Sequence, residues 1–421
     1  MDKTRKGPHF AWFVMIGCGL MLAGSTTFYT VLIGNFFVPS AEDMGVEVSD
    51  LSLFLTAAVF AAAVTMPFAG NLLHKVPPLG LGFFAAIQSV AVGVLSFSHS
   101  AVWWWIAGAV VGVGMAFTTI VCISTVLTNW FVKRTGLAIG ITWAIASVIS
   151  AVAGPLIVEL INAEGWRTGI LIFASVGGVL ATVPAIFLVR YSPDRKGMQA
   201  YGYEEGVEVV DEHAGGAGVS TKVVVTSLSF FAVALALGLT QIVSGINAFF
   251  PVYAETAFDP AKAAHVGAMM ISVALIFDIF LNPLIGWFID KYGAIKGFVV
   301  GGAIVVISFL LIMFSNGNEL LVYLGAGLED SLYVILGVGF ASLCSTLWGT
   351  KNYAKNFAYL SVLGFGISAV GPYILTSLYE MTGSFDAVFM FTIGGTVAIV
   401  LLSILSSKLA KKLTWEPEDA K

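Results

Sequence analysis

Three carboxyl groups, Asp278, Glu329 and Asp330, sit inside long apolar runs of this 421-residue chain. Carboxyls in such settings can carry protons, because each holds or releases one as its surroundings change. Asn282 stands four residues after Asp278. No Lys or Arg stands at the same depth to neutralise the acids. A carboxyl that gives up its proton there must find compensation elsewhere, and a coupling ion or a substrate can supply it. Asp278 is the preferred proton carrier, with Glu329 or Asp330 assisting. The alternative for each is a neutral, hydrogen-bonded acid that fixes packing.

Composition defines the elements that must hold these groups. Hydrophobic residues make up 58% of the chain and charged residues 11%, against about 25% charged in soluble domains. The mean hydropathy is +0.93. A soluble enzyme is excluded, and so is a nucleic-acid binder, the latter also by the net charge of −5. About 20 apolar residues in a helix cross a hydrocarbon core. No Asp, Glu, Lys, Arg or His lies between His9 and Glu42, and further apolar runs span 51–73, 79–97, 101–128, 136–158 and 168–189. A second set spans 223–253, 264–289, 297–315, 320–350, 357–379 and 387–405. Twelve transmembrane helices in an all-α membrane protein are predicted. The first run is too long for a signal-peptide core and reads as a retained helix.

Basic residues test this count. Of the 20 Lys and Arg, all but Arg167 and Lys262 fall on one side of the twelve-helix topology. The positive-inside rule then places both termini in the cytoplasm of a cell (inner or plasma) membrane protein. Cys18, Cys122 and Cys344 lie far apart inside apolar runs and read as small buried hydrophobes, so neither a disulfide framework nor a metal site is expected. No phosphate-cradling glycine loop is present, and neither cofactor nor catalytic residue is expected.

The chain divides in two. Residues 1–190 form an N-terminal six-helix bundle, 191–221 a polar, acid-rich cytoplasmic linker, 222–407 a C-terminal six-helix bundle and 408–421 a cytoplasmic tail. Internal similarity supports this division at near-constant separation: Pro67-Phe-Ala-Gly70 with Pro283-Leu-Ile-Gly286, Trp130 with Trp348, and Gly154-Pro155 with Gly371-Pro372.

The stretch Gly286-Trp-Phe-Ile-Asp290-Lys291-Tyr-Gly293 resembles the signature loop of the major facilitator superfamily. The segment Asn129 to Gly140, Gly154-Pro155, Gly165-Trp166-Arg167 and Lys351-Asn-Tyr-Ala-Lys355 are similar to its monocarboxylate and oxalate/formate antiporter branch. This resemblance implies a secondary transporter in which Gly286, Asp290 and Lys291 act as a conformational latch. It also implies that helices 7, 8, 10 and 11 of the second half face the substrate. Members of the branch carry an Asp on helix 8 followed four residues later by an Arg that receives the substrate carboxylate. Asp278 matches, but Asn282 takes the Arg position, which removes the expected anion site.

Further substrate-binding candidates are Tyr29 and Asn35 on helix 1, Thr118 and Thr119 on helix 4, Trp143 on helix 5, Gln241 and Asn247 on helix 7, and Tyr333 on helix 10. Glycines 17, 19, 24, 108, 112, 114, 364, 366 and 371 are expected to allow close helix packing. Trp103-Trp104-Trp105 reads as an interfacial belt. The leading expectation is a proton-coupled transporter of a small organic solute such as a monocarboxylate, acting as a monomeric unit with protons and the bilayer as its partners. The alternatives are a proton-antiport exporter of cationic or amphipathic compounds and a non-transporting sensor of the same build.

Overall fold

The computed structural model describes residues 9–203, 217–368 and 370–415. Linker acids Glu204, Glu205, Glu208, Asp211 and Glu212, terminal basic residues Lys3, Arg5 and Lys6, and Lys421 of the tail fall outside the described residues. Among the described residues, ten stretches are long and apolar enough to cross a membrane. They give α1 (Phe10–Met44), α2 (Asp50–Lys75), α3 (Pro78–Phe97), α4 (Ala101–Trp130), a 53-residue stretch Thr135–Phe187, α7 (Leu228–Asn247), α8 (Pro260–Tyr292), α9 (Ala294–Met313), α10 (Glu319–Trp348) and α12 (Phe385–Ala410). Gly165, at φ 76° and ψ 161°, breaks the long stretch into α5 (135–164) and α6 (166–187). The remaining pass, α11, comes in two pieces, Tyr353–Ser368 and Gly371–Thr382. The predicted twelve helices are thus accounted for.

Two compact units are present, Met1–Thr65 with Asn71–Val210, and Met66–Gly70 with Asp211–Lys421. In the first, α3 packs on α4 and on the α5–α6 pair, which also carries α1. In the second, α7 packs on α11 and α12, α8 on α10, and α9 on α10 and α12. Side-chain caps start several of these helices: Ser227 accepts from the Phe230 N–H, Asn318 from Leu320 and Leu321, and Ser384 from Asp386. Each satisfies a backbone donor that has no partner within its own helix.

Helix crossing in the first unit depends on missing side chains. Gly108 and Gly112, one turn apart on α4, lie against the backbone carbonyls of Phe54 and Ala58, one turn apart on α2. A Cβ at either position would overlap those carbonyls, so the two backbones meet in a matched register. The expected close packing is found at Gly17, Gly19, Gly24, Gly114, Gly364 and Gly371 as well, whereas Gly366 has nothing within 4 Å of where a Cβ would stand.

The tryptophan triple departs from its reading as a belt. Trp103 and Trp105 are exposed, but Trp104 is fully buried among Phe37, Phe54 and Trp166. Consecutive helical residues point about 100° apart, so a triple cannot share one face. The three cysteines are buried and unpaired.

The two basic residues that the topology places apart from the rest are both paired. Arg167 donates to Asp43 at 3.0 Å, and Lys262 to Glu319 at 3.1 Å. Arg167 also donates to the Ser96 and Ser98 carbonyls and stacks on Trp166 at 4.4 Å. Because the ion pair is partly exposed, screening keeps its own value near 0–1 kcal/mol. Arg167→Gln is expected to lower Tm by only a few degrees, measured by fluorescence in detergent.

Each end of the linker is fastened to a tryptophan corner. The Tyr201 N–H donates to the Trp130 carbonyl at 2.8 Å, and the Val219 N–H to the Trp348 carbonyl at 2.8 Å. The indole of Trp130 donates to the Arg190 carbonyl, and that of Trp348 to the Ser229 hydroxyl.

Candidate functional site

Helix α8 places Asp278 and Asn282 four residues apart on one face. The Asn282 amide donates to the Asp278 carboxyl and, at 3.0 Å, to its backbone carbonyl. Its donors are therefore spent within the helix. Pro283 follows inside the same helix, and its missing N–H removes the bond to the Ile279 carbonyl.

Helix α10 brings in the other acids where its regular winding lapses. The α-helix Glu319–Glu329 stops, restarts at Ser331, and passes into a π-helical stretch at Ile335–Gly339. Such irregularity re-aims side chains and recurs at functional sites. Glu329 is fully buried and Asp330 is 5% exposed. The carboxyls of Asp330 and Asp278 lie within hydrogen-bonding reach. Two carboxylates are both acceptors, so this contact forms only when a proton lies between them.

Helix α7 closes the group. Beyond Ser244 it narrows to a 3-10 turn, Gly245–Phe249, which carries Asn247. The Asn247 side chain lies beside both Glu329 and Asp330. Its geometry toward Glu329 falls short of a regular hydrogen bond, and neither Glu329 carboxyl oxygen has a well-formed partner. Tyr333, one turn beyond Asp330, is 40% exposed and lies beside Ser244 and near all three acids. Asp278, Asn282, Glu329, Asp330, Asn247 and Tyr333 thus gather within the second unit. Gln241 lies on the same helix as Asn247, its amide nitrogen buried and without a partner.

The candidates of the first unit do not form one cluster. Tyr29 is fully buried and its hydroxyl joins Ser89 at 2.7 Å and the Ala174 carbonyl at 3.1 Å, tying three helices. Thr118 donates to the Gly114 carbonyl and accepts from Gln88 at 3.1 Å. Thr119 bonds Met115, and Asn35 bonds the Leu32 carbonyl one turn back. Trp143 is half-buried. In the signature loop Gly286 is buried and Asp290 exposed, while the Lys291 ammonium lies over the rings of Trp287 and Tyr292 at 5.0 and 5.2 Å.

Three polar residues escaped the sequence reading. Gln88 and Ser89 stand adjacent in an otherwise apolar run, which was a usable signal. Asn356 is fully buried with neither side-chain atom hydrogen-bonded. Among the described residues no group of three His, Cys, Asp or Glu is arranged to hold a metal ion.

The family model of the Major Facilitator Superfamily matches residues 13–352. The chain belongs to that superfamily. Its fold agrees: the structure of FucP, a superfamily transporter in the outward conformation, superposes with a TM-score of 0.66 at 11% identity, covering 94% of this chain and 98% of that one. A bacterial homologue of the iron transporter ferroportin, in an outward-facing state, gives 0.61 at 12% identity over 96% and 100%. Among sequence relatives, mouse (Mus musculus) monocarboxylate transporter 2 is 22% identical over 93% of this chain and 81% of its own length. A probable sulfoacetate transporter of Cupriavidus necator is 27% identical over 39% and 40%. An uncharacterized 38 kDa protein of Thermoproteus tenax is 24% identical over 98% and 100%. This superfamily chain is therefore a multi-pass membrane transporter and not an enzyme.

Proposed function

We propose that the protein is a proton-coupled secondary transporter that moves a small organic solute, of the monocarboxylate kind, by alternating access. The Asp278–Asp330 carboxyl pair carries this reading. A proton held between two buried acids is exchangeable, and losing it leaves two like charges in contact, which favours a rearrangement of the helices that hold them. Relatives named for monocarboxylate and sulfoacetate support an organic acid as cargo. With no basic side chain in the group, the acid and its proton would travel together, so that net charge at the site stays low.

The assay is uptake into proteoliposomes carrying a pH-sensitive dye. Under an inward proton gradient, lactate or pyruvate is expected to accumulate above equilibrium and to bring protons with it. Accumulation without proton movement would sink the coupling.

A second reading draws on the same acids and amides: export of cationic or amphipathic compounds against protons. Addition of an amine to vesicles with an acidic lumen would then discharge the gradient, and the monocarboxylates would not.

A further inference from the structure

One pocket of the first unit takes no part in the acid cluster. It opens where the linker leaves the helices, between the end of α2, the start of α3, the last third of α4 and the segment after α6. Its walls are apolar, with Leu73, Leu81, Val126 and Val189, and two arginines, Arg190 and Arg195, are among its lining residues. Arg190 is pinned through Nη1 to the carbonyls of Ile186 and Val189 at 2.8 Å each. Arg195 donates to the His74 carbonyl and lies over the Tyr191 ring at 5.3 Å. Both cations are thus held in place by backbone and ring contacts. Neither forms an ion pair among the described residues, and Asp194, beside Arg195 in the same 3-10 turn, makes none with either.

We propose that this pocket binds the phosphate headgroup of an anionic phospholipid. A guanidinium group matches phosphate oxygens in geometry and charge, and the pocket offers two. The apolar walls suit the glycerol and first methylenes of a lipid, whereas a free phosphate ion would gain nothing from them. Position adds to the argument: basic pockets between transmembrane helices at the cytoplasmic boundary, where the basic-residue asymmetry puts this end, are sites of anionic lipid recognition. Lys75, exposed beside the rim, strengthens the local field.

The experiment is thermal unfolding of the full chain in detergent with added phosphatidylglycerol, phosphatidylcholine or inorganic phosphate. Phosphatidylglycerol is expected to raise Tm by several degrees, and the other two to leave it unchanged. Arg195→Gln, at an exposed position, and the double variant with Arg190→Gln are expected to halve and to abolish that rise. Each shift is read against the variant's own lipid-free Tm, so a lower starting stability does not blur the result. Should the double variant fail to fold, native mass spectrometry of Arg195→Gln decides by the loss of bound phosphatidylglycerol. Equal shifts with phosphatidylcholine, or an undiminished shift in the variants, overturn the proposal. A shift with inorganic phosphate alone also overturns it, because the site would then take a free anion.

Discussion

Asp278→Asn is expected to abolish proton-driven accumulation in proteoliposomes while leaving exchange of labelled for unlabelled solute across the membrane in place. The substitution keeps the side chain's shape and its contact with Asn282, but it leaves Asp330 without a partner acid. Coupling between two ligands is reciprocal, so a proton that favours substrate binding must itself be held tighter when substrate is bound. Couplings of this kind are of the order of 1–3 kcal/mol, about 5- to 150-fold in affinity. Apparent affinity in the native protein should therefore fall as pH rises through the titration of the pair, and should become flat with pH in the variant. Retention of gradient-driven accumulation by Asp278→Asn would assign the coupling to another group. Asp330→Asn provides the matched test from the other side of the contact, and the two variants together should cost no more than either alone.

The second large effect concerns packing. Gly112→Ala puts a methyl group into the Ala58 backbone carbonyl and close to the Ala61 side chain, neither of which can swing aside. Overpacking of this kind costs about 1–3 kcal/mol, and the α2–α4 crossing has no slack in which to relax it. Gly366→Ala, also in a helix but with open space at its Cβ position, is expected to be neutral or slightly stabilising, since Ala exceeds Gly in helix propensity by about 1 kcal/mol. Side-by-side unfolding in the same detergent checks the contrast. Equal Tm values for the two variants would mean that the α2–α4 contact does not limit stability.

Much of the fold was legible because the chain has little charge to distribute. A wrong helix count would have scattered the basic residues across both sides, and the only two exceptions, Arg167 and Lys262, each turned out to hold an acid. The acid cluster was legible for the same reason: Asp278, Glu329 and Asp330 stand out against apolar runs, and helical rise alone put them at similar depth. The first unit was harder to read. On a helix that is apolar all round, periodicity does not separate a face that packs on a neighbour from one that lines a space. Tyr29 and Thr118 could each be a pocket residue or an interhelical bond in sequence, and their hydroxyls tie helices together. Trp104 was grouped with its neighbours in sequence although its ring points into the core. The lapses in α1 and α10, where α-helix gives way to π-helix at Ala23–Val31 and Ile335–Gly339, left no mark in composition beyond a few hydroxyls and glycines.

The fastening of the linker bears on how such a chain came to exist. Trp130 and Trp348 occupy matching places in the two repeats, and each offers its backbone carbonyl to one end of the joining segment. A duplicated gene that fused head to tail would find a docking corner ready in both copies, with no new surface to evolve. The same arrangement makes the segment between the two corners a natural seam: halves expressed as separate polypeptides, cut there, would each keep their end of the connection in place.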